Sequence, residues 1–84
     1  MIQELERVAL TVDLPAYGLE QGDMGTVVLV HRGGEGYEVE FITLDGETVG
    51  LLSLFAAQVR PLGRREISHA RPLEKRRAQS AALA

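Results

Sequence analysis

The strictest pattern along the chain is the alternation Tyr37-Glu38-Val39-Glu40-Phe41, in which apolar and acidic residues take turns. A strand sends successive side chains to opposite faces, so this run predicts a strand with Tyr37, Val39 and Phe41 in the core and Glu38 and Glu40 outside. Gly25-Thr26-Val27-Val28-Leu29-Val30-His31 is instead continuously aliphatic. That predicts a strand covered on both faces, one by the core and the other by the preceding loop, the C-terminal tail or a partner. Arg7-Val8-Ala9-Leu10-Thr11-Val12 and Thr48-Val49-Gly50-Leu51-Leu52-Ser53 supply two further strands, and Val59-Arg60-Pro61 a short edge strand ended by proline.

Turn formers punctuate these runs. Asp13 to Asp23 contains Pro15, Gly18 and Gly22, which predicts a long ordered loop anchored by Leu14, Tyr17 and Leu19. Arg32-Gly33-Gly34-Glu35-Gly36 and Asp45-Gly46 read as hairpin turns, and Leu54 to Gln58 as a single helical turn. Gly18, Gly22, Gly25, Gly36 and Gly46 fall where positive φ or close backbone approach is expected. Five short strands with a one-turn helix before the last predict an all-β, Src-homology-3-like small barrel over residues 1–62. A five-stranded oligonucleotide-binding-type barrel fits less well, because it uses a helix between the third and fourth strands where only a turn is available here.

After Leu62 the character changes. Gly63-Arg64-Arg65 lies between Pro61 and Pro72, and Pro72 opens a stretch of helix formers, so residues 63–84 read as a basic tail with a short helix from 72 to 83. Charge divides at the same point. Through Leu62 three basic residues stand against ten acidic ones, a net of −7, and from Gly63 six basic stand against two acidic, a net of +4.

With 84 residues, 45% of them hydrophobic, and no cysteine, the chain has room for one domain held by apolar burial alone. The N-terminus carries Glu4 and Glu6 rather than a basic start and apolar stretch, and no apolar run reaches the roughly 18 residues that span a bilayer. A cytoplasmic location is the expectation.

Chemistry-bearing residues are few. Ser53, Ser68, Ser80, His31 and His69 fall in no nucleophile motif, and the two histidines, one beside a glycine turn and one in the tail, read as exposed and unrelated. The glycine turn leads into a strand, whereas a phosphate cradle leads into a helix. Glu38 and Glu40, about 7 Å apart on an outer strand face, suit contact with a basic surface better than hydrolysis or cation binding. No catalytic residue, cofactor or metal site is expected. Arg64, Arg65, Arg71, Lys75, Arg76 and Arg77 can meet an acidic partner or several phosphates, but the tail has no aromatic residue for stacking bases.

Asp13-Leu14-Pro15, Gly18-Leu19, Gly22-Asp23, Gly25-Thr26-Val27-Val28, Tyr37-Glu38-Val39-Glu40-Phe41 and Gln58-Val59-Arg60-Pro61, in this order, resemble a bacterial small-barrel domain family of unassigned function over roughly residues 5–62. Gly22-Asp23-Met24-Gly25-Thr26-Val27 is also similar to KOW-type turns and to the barrel of the nitrile hydratase β-subunit, although Glu20, Asp23 and Glu35 stand where nucleic-acid binders of that type carry basic residues. The family resemblance implies a small accessory protein that pairs with the product of a neighbouring gene, as the antitoxin-like half of a module. The expected function is therefore a non-enzymatic protein-binding adaptor using Glu38, Glu40 and the tail cations, with a protein partner or a homo-oligomer. The alternative is a nucleic-acid-associated accessory protein whose tail clamps phosphates.

Overall fold

A computed structural model of the chain describes residues 2–73. Most of the helix expected from 72 to 83, together with Lys75, Arg76 and Arg77, lies outside the described residues. Five strands, β1 (Arg7–Leu10), β2 (Met24–His31), β3 (Gly36–Ile42), β4 (Thr48–Phe55) and β5 (Val59–Pro61), form one antiparallel sheet in the order β4-β3-β2-β1-β5. Two single 3-10 turns, Pro15–Tyr17 and Ala56–Gln58, complete the regular structure of the described residues. None of their helices is long and apolar enough to cross a membrane.

The alternation of β3 holds as expected. Tyr37, Val39 and Phe41 are buried with Val8, Leu10, Leu19, Val27, Leu54 and Val59, and no polar or charged residue is buried among the described residues. Burying each large side chain contributes about 1.5–3 kcal/mol, so the three β3 residues are a principal source of stability.

The second strand forms as expected but carries an irregularity. Its pairing with β3 shifts between Val27 and Leu29, a bulge that leaves Val28 without a place in the alternation. Val27 pairs with Val39 and Val30 with Tyr37, both toward the core, while Leu29 and His31 turn to the other side. Val28 and Leu29 are consequently 37% and 45% exposed, and most of the tail expected as one possible cover lies outside the described residues.

Smaller corrections have local causes. Strand β1 stops at Leu10 rather than Val12, because Thr11 turns to the second 3-10 segment, its N–H donating to Gln58 O (2.8 Å) and its hydroxyl to Ala57 O (2.6 Å). Strand β4 runs on to Phe55, whose N–H donates to Gln58 Oε1 (2.8 Å), so the helical turn starts two residues later than expected. In the long loop, Leu14 and Leu19 exchange backbone hydrogen bonds and Leu19 is buried, which makes them anchors. Tyr17 is not one: the Pro15–Tyr17 turn stands outside the Leu14–Leu19 bridge and carries its ring into solvent.

Candidate binding surface

The period-two alternation that buries three β3 residues presents Gly36, Glu38, Glu40 and Ile42 on the opposite face. The register completes that face with neighbours from both sides. Glu38 lies between Leu29 and Ser53, Glu40 between Thr26 and Leu51, and Gly36 between His31 and Phe55. Leu29 is 45% exposed, Leu51 57% and Phe55 77%. The outer face of β2-β3-β4 is thus a mixed apolar and acidic surface, with an open groove of about 630 Å³ at the His31–Phe55 end.

Its two carboxylates are held in place. Glu38 Oε2 accepts from the Ser53 hydroxyl and lies 2.8 Å from His31 Nε2. The Ser53 hydrogen bond first, and then that of His31, hold the Glu38 carboxyl below its usual range against a smaller effect of burial. The Ser53 hydroxyl and the imidazole thus meet at the same carboxylate oxygen. Glu40 Oε2 accepts from Thr48 Oγ1 (3.2 Å).

The His31 side chain is 43% exposed, as the sequence suggested, but it is paired with Glu38. The four-residue turn from Arg32 to Glu35 sets His31 opposite Gly36 and diagonal to Glu38 on the same face. Hairpin spacing alone indicates that neighbourhood, but the bulge in β2 has to be known before His31 can be assigned to the outer face.

Among the described residues, the cations after Leu62 do not form a patch. Arg64 and Arg65 are exposed. Arg71 reaches back to the long loop, donating from Nε to Asp23 Oδ1 (3.0 Å) and from Nη2 to Asp23 Oδ2 (2.6 Å) and Gly18 O (3.0 Å). Burial alone would raise the Asp23 carboxyl, but its bonds to Arg71 and to the Glu20 backbone outweigh that and hold it lower. Closer to β5, Glu66 takes both terminal nitrogens of Arg60 at 2.8 Å and the N–H of Gly63, and its carboxyl is pushed down to about 2. Residues 63–73 are strapped to the sheet and loop by these two pairs.

Arg71→Ala is expected to lower stability by about 1 kcal/mol at neutral pH, the range for a bidentate pair with solvent access. Because the folded Asp23 pKa lies below its unfolded value, the pair stabilises fully above the ordinary aspartate range and is lost as pH falls through the depressed value. Urea midpoints of wild type and variant should differ at pH 7 and converge in acid. A difference that persists below pH of about 2 would show that the effect is packing and not the ion pair.

The family model described as a domain of unknown function (DUF4926) matches residues 4–61. No curated protein and no solved structure matches the chain.

Proposed function

The chain belongs to this family of domains of unknown function, and from that premise we propose that it is a non-enzymatic binding module, an adaptor or the antitoxin-like half of a pair, acting in the cytoplasm. In this reading the sheet curls as a Src-homology-3-like barrel. The strand order β4-β3-β2-β1-β5, the long loop after β1 and the 3-10 turn before β5 support that architecture. The observation that carries the functional reading is the outer face, where Glu38 and Glu40 alternate with exposed Leu29, Leu51 and Phe55.

Such a face suits a basic, partly apolar segment of a partner protein. The apolar residues supply area to bury, and the carboxylates supply charge-assisted hydrogen bonds that set orientation and speed encounter. Glu38 is already oriented by Ser53 and His31, so less side-chain freedom is lost when a lysine or arginine docks on it. A phosphate clamp built on the C-terminal cations is the weaker reading, since Arg71 is engaged with Asp23 and the surface around it is acidic.

The test is affinity capture from the native host with the full chain and with the Glu38→Lys/Glu40→Lys variant, after circular dichroism shows that both fold. A stoichiometric protein recovered by the wild type and reduced at least about tenfold by the charge reversal, the effect of placing like charges across a contact, is the expected result. Equal recovery by both baits overturns the reading. Nuclease-sensitive recovery of mixed nucleic acid transfers the function to the cations.

A further inference from the structure

The two edges of the sheet are not alike. Strand β5 is three residues long and closes on Pro61, a short proline-ended edge of the kind that resists further pairing. Strand β4 is eight residues long and, from Thr48 to Phe55, contains no proline and no charge. Among the described residues only β3 pairs with it, and an edge of that length without lysine or proline is a template for another strand.

The direction of its backbone groups follows from the ladder. Ala56 N–H donates to Glu35 O (3.1 Å), and bonds alternate along an antiparallel pair, so Leu54 and Leu52 bond to β3 while Leu51, Ser53 and Phe55 turn their backbone groups outward. Phe55 agrees with this, since its N–H is taken by Gln58 and not by β3. The N–H and C=O groups of Leu51 and Ser53 therefore face the open edge.

We propose that this edge pairs with β4 of a second copy of the chain, antiparallel about a two-fold axis near Leu52. The pairing is made by backbone groups on the rim of the sheet, and its outcome is read from the oligomeric state and not from capture of a partner. The register that uses both outward residues sets Leu51 opposite Ser53 of the second copy and Ser53 opposite its Leu51, for about four ladder bonds across the seam. Side chains on the outer face then run continuously, with Leu51 and Phe55 of both copies forming an apolar strip.

Two observations favour a second copy. The first is electrostatic: β4 itself is uncharged, Glu47 precedes it at the end of the strand remote from Leu52, and the carboxylates beside the seam, Glu38 and Glu40, sit one strand back in each copy. Three strand spacings separate these rows across the seam, roughly 14 Å, beyond the Debye length of about 8 Å at physiological salt. The acidic character of the body therefore does not oppose the pairing. The second is geometric: a head-to-tail contact would have to use β5, which is only three residues long and ends on Pro61, whereas two β4 strands match from Val49 to Phe55 and close the assembly as a dimer.

The experiment is sedimentation equilibrium of the full chain from about 10 µM to about 1 mM, a range that brackets weak association, with amide exchange recorded at both ends. The expected result is a monomer–dimer equilibrium in which Leu51 and Ser53 amides become protected as the dimer forms. Leu51→Lys, which places an edge lysine on the seam, should raise the dimer dissociation constant at least about tenfold. Leu51→Pro, which removes one outward N–H and no bond to β3, should do the same, so that failure of one variant to fold leaves the other to decide. A monomer throughout the range, higher oligomers without a dimer, or a dimer that both variants leave intact overturns the proposal.

Discussion

Phe41→Ala is expected to destabilise the protein by about 3–5 kcal/mol, the usual range for truncating a fully buried aromatic residue. Phe41 is 2% exposed and lies near the end of β3, where its partner on β4 is Gly50 and its ring approaches Gly25 of β2. Glycine on both sides supplies no side chain to move into the space, so the cavity cannot collapse. A chain of 84 residues has a net stability near the low end of the 5–15 kcal/mol range, and the loss corresponds to a fall in melting temperature of about 20 °C. Thermal and urea unfolding followed by circular dichroism measure it directly. A loss below about 1.5 kcal/mol would mean that Phe41 is not a keystone of the core.

Gly25→Val should be nearly as damaging for the opposite reason. A Cβ at Gly25 would lie 2.6 Å from Val39 Cγ1, 2.9 Å from Glu40 O and 2.9 Å from Phe41 Cε1. The Glu40 oxygen belongs to the neighbouring strand's backbone, so relief requires β2 and β3 to separate. Overpacking of this kind costs about 1–3 kcal/mol, and a branched side chain at a site with no room belongs at the upper end. Gly50→Ala is the control: its Cβ would sit 3.6 Å from Leu52 Cδ2, an ordinary contact. In a strand interior that change should be neutral or stabilise by up to about 1 kcal/mol. Equal losses at Gly25 and Gly50 in urea titrations would refute the close-approach argument.

These two substitutions also mark what was legible from residues alone. Alternation placed Phe41 in the core and Glu38 and Glu40 outside because side chains on a strand have a period of two whatever surrounds them. Turn chemistry located the hairpins and the long loop, since glycine and proline act through their own backbone sterics. The role of Gly25 was expected in kind, as close approach, but which atoms it admits depends on how β2 lies against β3.

The site was legible only in its two carboxylates. The bulge after Val27 leaves Val28 and Leu29 both exposed, and nothing in the uninterrupted aliphatic run of β2 announces it. Cross-strand register also supplies Ser53 as the third member of that cluster, 15 residues along the chain from Glu38. Arg71 was read with the tail cations as a group available to partners, yet it binds Asp23, 48 residues away.

By itself, then, the amino-acid sequence determined the class of the fold, the strands and turns, the inward set of β3 and the division of charge at Leu62, because each depends on local sterics or on composition. Tertiary structure decided where β2 bulges, that Glu38 is held by His31 and Ser53, that Arg71 straps the segment after β5 to the loop, and that β4 is left as a long uncharged edge. Those features arise from register and from contacts between residues far apart in the chain, whose free energy depends on how the whole sheet packs rather than on any local pattern.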